Sequence, residues 1–370
     1  MELDAFWRGR RVLVTGHTGF KGAWLCLWLE KLGAVVSAVA LAPETHPSLY
    51  EKLAPWRAGR HHVQDIRDGE ALRARMRAVQ PEIVLHMAAQ ALVRPSYDAP
   101  ADTFATNVMG TVHVLEAVRA CPSVRAVLVI TSDKVYANDG GGRPFVETDR
   151  LGGHDPYSAS KTCAEIVCHS YRVSFLDELG VRLATARAGN VIGGGDWAKD
   201  RLSPDFVRAL DRGAPLLLRY PHAVRPWQHV LEPLSGYLRF AQALTEDRDG
   251  ILPEAFNFGP DAACVATVSE LAEAFAAAYG VENAWMPAAG LHPHEAATLG
   301  LSSARARGAL GWRPRLTLRQ TVDWTADWYK ADRNGADMRA FSLDQIAAYE
   351  QLAVSEPRAA RAEDELMVQA

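Results

Sequence analysis

"RVLVTGHTGFKGAWLCLWLEKLG", residues 11–33, decides how this chain folds. "RVLVTG" (11–16) is a short apolar run of strand length that ends on glycine. "GAWLCLWLEKLG" (22–33) puts apolar side chains at Trp24, Leu25, Trp28, Leu29 and Leu32, a helical stripe, and Gly33 ends it. Gly16, Gly19 and Gly22 join the two elements. Gly16 allows a tight turn, Gly19 lets backbone approach a pyrophosphate, and Gly22 lets the helix pack closely on the strand. The free N–H groups at the helix start then face the anion. A glycine triplet alone is common. Between a first strand and a first helix it points to a dinucleotide.

The alternation continues. "AVVSAVAL" (34–41), "EIVLHMAA", "RAVLVITS" (125–132) and "RLATARA" (182–188) read as strands. "DGEALRARMRAV", "ADTFATNVMGTVHVLEAVRA" and the segment from Pro156 to about Glu178 read as helices between them. This order predicts an α/β fold, a Rossmann doubly wound parallel sheet covered on both faces. After about Asn190 proline and glycine interrupt the rhythm, which predicts a smaller C-terminal substrate-binding domain. The expected division is a dinucleotide-binding domain over 1–189, a mainly substrate-binding domain over 190–354 with possible returns to the sheet, and a flexible tail over 355–370.

The bulk composition narrows the class. Apolar residues make up 48% and charged residues 23% of 370, as in an ordinary soluble globular protein. A net charge of −4 offers no general attraction to nucleic acid or an anionic membrane. "RARMR" then reads as helix surface. No apolar run nears the ~20 residues that span a bilayer, and "MELDAFW" lacks a signal-peptide layout. Five scattered cysteines without a CxxC pair argue against zinc and disulfides and for a reducing, cytoplasmic setting. His292 and His294 in "HPHE" resemble a metal pair, but a proline loop is the simpler reading, and no metal is expected.

One expected marker is missing. A dinucleotide site usually has an acid at the end of its second strand to hold the ribose. Here that region reads "AVALAPETHP", and Glu44 is displaced beyond a proline. NAD and NADP are not separated by this position. Asp65 and Ile66, in "VQDIRD", either border the adenine or serve as a helix cap and a core residue.

Two further clusters carry chemistry. In "DPYSASK", Asp155 is an N-cap candidate and Pro156 fits the first helical position. Tyr157 and Lys161 then share a helix face. A phenol with a pKa near ~10 is a poor base, and an adjacent ammonium favours its ionised form. "TSDKVY" (131–136) places Ser132, Asp133 and Lys134 where the buried strand "RAVLVI" ends. In open α/β sheets that end faces the ligand crevice. A salt bridge or strand-end cap is the plainer reading of the Asp-Lys pair.

With these motifs in place, the chain resembles the extended short-chain dehydrogenase/reductases. The pattern runs from Arg11 to Pro314 through "TGHTGFKG", "HMAAQ" (86–90), "TSDKVY", "YSASK", "RAGNVIGGGDW" (187–197), "RPWQHV" (225–230) and "LGWRP" (310–314). The resemblance implies Tyr157 as base, Lys161 as its partner and Ser132 as the hydroxyl that shares the substrate proton. It implies NAD as cofactor, held by Gly16, Gly19, Phe20, Lys21, Gly22, Asp65, Ile66, Ala88, Tyr157 and Lys161. Within the superfamily, nucleotide-sugar 4,6-dehydratases carry an acid and a base just after this strand, often Thr-Asp-Glu. Ser132-Asp133-Lys134, with "GHTGFKG" and "HEAATLGL" (294–301), is similar to the group acting on CDP-glucose, where lysine replaces the glutamate.

That resemblance implies Asp133 as acid toward the departing hydroxyl. Lys134 is either base at carbon 5 or a cation stabilising the enolate. Asn190 and Arg225 would hold the nucleoside diphosphate, and Arg94 and His17 are candidates for the sugar pocket. His86 reads as a core histidine, and Asn107 as support for the site backbone. The expected partners are CDP-glucose and a second copy of the chain, through the helix carrying Cys163, Ala164, Val167 and Cys168. A 4-epimerase, a dehydratase of another nucleotide sugar, and a non-catalytic dinucleotide sensor remain as alternatives. "SDK" argues against the epimerase, and the intact Tyr157–Lys161 pair argues against the sensor.

Overall fold

The computed structural model describes residues 3–290 and 299–354. Seven strands form one parallel sheet: β1 (Arg11–Thr15), β2 (Val35–Ala40), β3 (His61–Val63), β4 (Ile83–His86), β5 (Ala126–Ile130), β6 (Arg182–Ala188) and β7 (Ala255–Phe258). Their spatial order is β7-β6-β5-β4-β1-β2-β3. Chain direction across the sheet reverses beside β1, so a crevice opens there at the carboxyl ends. The register aligns those ends in one row. Thr15 pairs with both Val39 and His86, His86 with Val129, and Ile130 with Ala186.

The main helices are α1 (Phe20–Lys31), α2 (Gly69–Val79), α3 (Gly110–Arg119), α4 (Pro156–Tyr171), α5 (Leu202–Asp211), α6 (Leu231–Glu246), α7 (Val268–Tyr279), α8 (Leu318–Arg333) and α9 (Met338–Val354). Alternation along β1 sorts them into layers. Val12 and Val14 pack with α1 and α6, while Leu13 between them packs with α2 and α3. All five residues of β5 are buried, as a strand covered on both faces requires. A third apolar cluster joins Phe206 of α5, Phe275 of α7 and Val322 of α8. The chain returns from it to the sheet through α6 and β7, which pairs with β6.

Local signals explain the element ends. Asp155 Oδ1 accepts the Ser158 N–H at 2.9 Å, and Pro156 takes the first position of α4. Both long helices expected to be regular contain a wider π-helical turn, at Ala105–Met109 before α3 and at Arg172–Leu176 after α4. The cap of α2 is Asp68, which accepts the Ala71 N–H at 3.0 Å; Asp65 instead closes a turn with Arg67. In α2 the arginines face outward over buried Leu72 and Met76.

The pairing face read for α4 needs correction. Ala164 and Cys168 are buried and Val167 packs against the core, so these residues hold α4 to the sheet. The exposed large apolar residues are Ile166 on α4 and Val173, Phe175 and Leu179 in the segment after it. No described helix is long and apolar enough to cross a membrane. His292, His294 and the expected tail from 355 lie outside the described residues.

Candidate active site

A cavity of about 1480 Å³ opens along the carboxyl ends of the strands. It is larger than the usual ~300–1,000 Å³ of a ligand pocket, so it has room for a dinucleotide and a second ligand together. One end is the glycine loop. Gly16 has φ +83°, and a Cβ there would stand 2.7 Å from the Ala88 nitrogen. A Cβ on Gly22 would reach 2.1 Å from the Gly16 carbonyl oxygen. These two glycines are required by the chain itself. Gly19 is different: its Cβ would meet only the Gly16 oxygen, at 3.5 Å. It lines the cavity and caps α1 without a side-chain bond, so its small size keeps space open beside free N–H groups.

The floor is a locked polar network. Thr15 Oγ1 accepts the N–H groups of Met87 and Ala88, both at 3.1 Å, which leaves its own proton for His86 Nδ1 at 2.7 Å. His86 then carries its proton on Nε2, 3.1 Å from Thr111 Oγ1. Burial and Lys161 hold the His86 pKa down at about 3, so it is a neutral core histidine. Asn107 accepts the Gln90 N–H at 2.8 Å and donates to Gln90 O and Ser160 Oγ, fixing the backbone after β4.

Tyr157, Ser132 and Asp133 meet at the end of β5 with relative exposures of 8%, 5% and 1%. Burial raises the Tyr157 pKa above its ordinary value. A hydrogen bond with Ser132 and the charges of Lys134 and Arg201 pull the other way. Lys161 donates to Ile130 O at 3.0 Å, satisfying a strand-end carbonyl, and burial lowers its pKa to about 8. Asp133 Oδ1 faces Ser132 Oγ at 3.0 Å and Lys134 Nζ at 3.2 Å. Asp133 Oδ2 is buried without a hydrogen-bond partner. A Cβ on Gly189 would stand 3.0 Å from it, so glycine keeps that side clear.

The remaining candidates separate. Asn190 lines the cavity with a buried, unpartnered Oδ1. Arg225 also lines it and is buried, with Nη1 donating to Val224 O at 2.9 Å. Phe20 and Ala88 line the cavity as well. Arg94 reaches the mouth, where Asp200 Oδ1 accepts from Arg94 at 2.8 Å and Arg219 at 2.7 Å. Asp65 lines the cavity while ion-paired with Arg67, and Ile66 lines it while packing beside Gly110. His17 does not belong to the sugar pocket. It is buried under the glycine loop against Tyr50 and His61.

Sequence reading missed Arg201, Arg219 and Asp200. They stand in or beside a helix start and a three-residue strand, with no motif to mark them. It placed Lys21 in the cofactor loop but missed its charge state. Burial first, then Arg201, lowers the Lys21 pKa to about 7, and its ammonium rests 3.4 Å from Tyr237 Oη. No acid stands at the end of β2; Glu44, exposed in the following loop, is the carboxylate that lines the cavity there.

A glycine loop over free N–H groups, feeding a cavity that also holds Tyr157, Lys161 and a strand-end acid, is a site for redox chemistry on a bound dinucleotide. The family model "NAD dependent epimerase/dehydratase family" matches residues 12–259, and the chain belongs to that family. It is 47% identical over 349 residues to a CDP-glucose 4,6-dehydratase of Salmonella typhimurium, covering 93% of this chain and 97% of that protein. A dTDP-glucose 4,6-dehydratase of Xanthomonas campestris is 26% identical over 363 residues, 91% of this chain and 98% of that one. Among solved structures, the dTDP-glucose 4,6-dehydratase DesIV of Streptomyces venezuelae, with NAD and TYD bound, superposes with a TM-score of 0.75 at 25% identity over 89% of this chain and 99% of that one.

Proposed function

We propose that the protein converts CDP-glucose to CDP-4-keto-6-deoxyglucose and water. The observation that carries this reading is the full-length 47% identity to a CDP-glucose 4,6-dehydratase. The acid at Asp133 and the amine at Lys134, set beside Tyr157 in one cavity, support it. NAD, the family's cofactor, supplies a hydride acceptor that later gives the hydride back. Gly16, Gly19, Phe20, Gly22 and Ala88 would hold it, with Asp65 and Ile66 at the far end.

Tyr157 in its ionised form takes the proton of the carbon-4 hydroxyl, with Ser132 sharing that proton. The carbonyl formed at carbon 4 acidifies the proton on carbon 5. Asp133 gives a proton to the hydroxyl leaving carbon 6, from the side its free oxygen faces. Lys134 stands 3.2 Å from Asp133. A single proton passed across that contact turns the ion pair into an amine and a carboxylic acid, the base and acid the elimination needs. Asn190 and Arg225 hold the nucleoside diphosphate, and arginine suits phosphate in both charge and shape.

The protein also pairs with a second copy, in our reading. Ile166, Val173 and Leu179, more than half exposed along α4 and its continuation, offer apolar surface for that contact. The function is tested by incubating purified protein and NAD with CDP-, dTDP-, GDP- and UDP-sugars. A product lighter by one water from CDP-glucose is expected. Epimerised hexose that keeps its oxygen would replace the reading with the 4-epimerase, and cofactor binding without turnover would replace it with the sensor.

A further inference from the structure

Over one turnover of the proposed reaction, two side chains change protonation and are not restored by the substrate. At carbon 4 the C–H and O–H bonds break; the hydride leaves and the proton goes to Tyr157. At carbons 5 and 6 a C–H and a C–O bond break, and the departing hydroxyl leaves as water with a proton from Asp133. The hydride returns to carbon 6, and the base that deprotonated carbon 5 gives a proton back there. Tyr157 therefore ends one proton richer and Asp133 one poorer. Before the next turnover Tyr157 must lose a proton and Asp133 must gain one.

One hydroxyl lies between them. Ser132 Oγ is 3.0 Å from Asp133 Oδ1, and it shares the buried end of β5 and the cavity wall with the Tyr157 phenol, whose pKa it helps to lower. It is fixed there by the Lys134 N–H, which it accepts at 3.3 Å. Tyr157 is fixed too: its N–H reaches Ser96 Oγ at 3.1 Å from the start of α4. All three side chains are buried. A serine hydroxyl has one proton for its two partners. Given to Asp133, it leaves Ser132 to accept from a protonated Tyr157, the state in which a turnover ends.

We propose that Ser132 is the relay that resets the site. Its O–H bond breaks as a proton bonds to Asp133 Oδ1, and the Tyr157 O–H bond breaks as its proton bonds to Ser132 Oγ. Serine ends unchanged. Phenolate and carboxylic acid are formed together, with no proton taken from solvent. A half-turn of the Asp133 carboxyl then carries the new proton to the place of its unpartnered oxygen. The relay differs from the sharing of the substrate's own proton, because it acts between turnovers and joins the oxidation to the elimination.

The inference rests on the 4,6-dehydratase reading, so wild-type turnover of CDP-glucose is measured first; no product there defeats that reading before any variant is made. Full-length Ser132→Ala and Ser132→Thr are then compared with NAD present. Ser132→Gly replaces Ser132→Ala should that variant fail to fold. Ser132→Thr keeps the hydroxyl and most of kcat. Ser132→Ala is expected to lose roughly 100-fold or more in kcat, and to regain activity as imidazole, a small proton carrier, is added. Wild type and Ser132→Thr are expected to ignore imidazole. A Ser132→Ala loss that imidazole leaves unchanged confines the serine to the substrate hydroxyl and overturns the relay. Wild-type kcat in Ser132→Ala at low buffer concentration overturns it as well.

Discussion

Two lysines near Asp133 have opposite surroundings. Lys134 is a third exposed and ion-paired with Asp133 at 3.2 Å. Lys21 is partly buried, donates to Tyr237 Oη at 3.4 Å, and has its pKa lowered to about 7 by burial and neighbouring cations. Sequence reading placed Lys21 in the cofactor loop but gave no sign of its lowered pKa. Spacing shows which residues share a helix face, but enclosure depends on elements far along the chain: Tyr237 lies 216 residues from Lys21. The linkage has a definite sign. A lysine whose folded pKa lies below its free value of ~10.4 takes up a proton on unfolding. The penalty on the fold is full below pH 7 and fades as pH rises toward the free value. Lys21→Met should therefore be more stable than wild type at pH 7, on the order of 1–3 kcal/mol, with the gap narrowing at pH 9.5. Urea unfolding at the two pH values measures this. A variant less stable at pH 7 would show that the contact with Tyr237 outweighs burial of the amine.

The strand ends that carry the site are tied together behind it. Glu165 of α4 accepts from Thr131, Thr185 and, through both oxygens, Arg187 of β6 at 2.9 and 2.8 Å. Arg187 also reaches Tyr136 Oη at 2.8 Å, and Tyr136 donates to Asn257 of β7 at 2.7 Å. Each side chain of the Glu165–Arg187 pair is 5% exposed. Burial disfavours the Arg187 charge, but the pair with Glu165 more than offsets this and raises its pKa. Removing one partner of such a buried pair costs about 3–5 kcal/mol. Glu165→Leu should lose that much in urea unfolding, and Glu165→Leu with Arg187→Met should recover most of it. Equal, additive losses would show that packing rather than charge sets the cost. At this scale the sequence was readable where a period or a cap repeats: β1, α1, β5 and the Asp155 start of α4. It was silent on Asp68 in place of Asp65, on the π-helical turns, and on which face of α4 is buried. Those are chosen by tertiary partners, not by the local pattern.

Across the whole molecule, the histidines set the response to acid. His86 and His229 are held neutral by burial, with pKa values of about 3. His17 and His61 are lowered to about 4, chiefly by burial and further by neighbouring histidines, and their rings sit 4.9 Å apart under the glycine loop. They occupy three regions: the floor of the sheet, the start of α6 and the cofactor loop. Each has a folded pKa below its free value of ~6.5, so unfolding binds protons as pH falls below 6.5. Stability present above pH 6.5 is lost progressively down to about pH 4, at roughly 1.4 kcal/mol per pH unit for each histidine that stays neutral. Ion-paired carboxylates act later; Asp149, paired with Arg143, is held at about 2. Urea unfolding between pH 7 and pH 4.5 should thus show a steep decline beginning near pH 6.5. His17→Phe should flatten it, and that variant should fold, because the ring keeps its contacts with Tyr50 and His61. A wild-type curve level down to pH 4.5 would mean that these histidines gain protons without opening the fold.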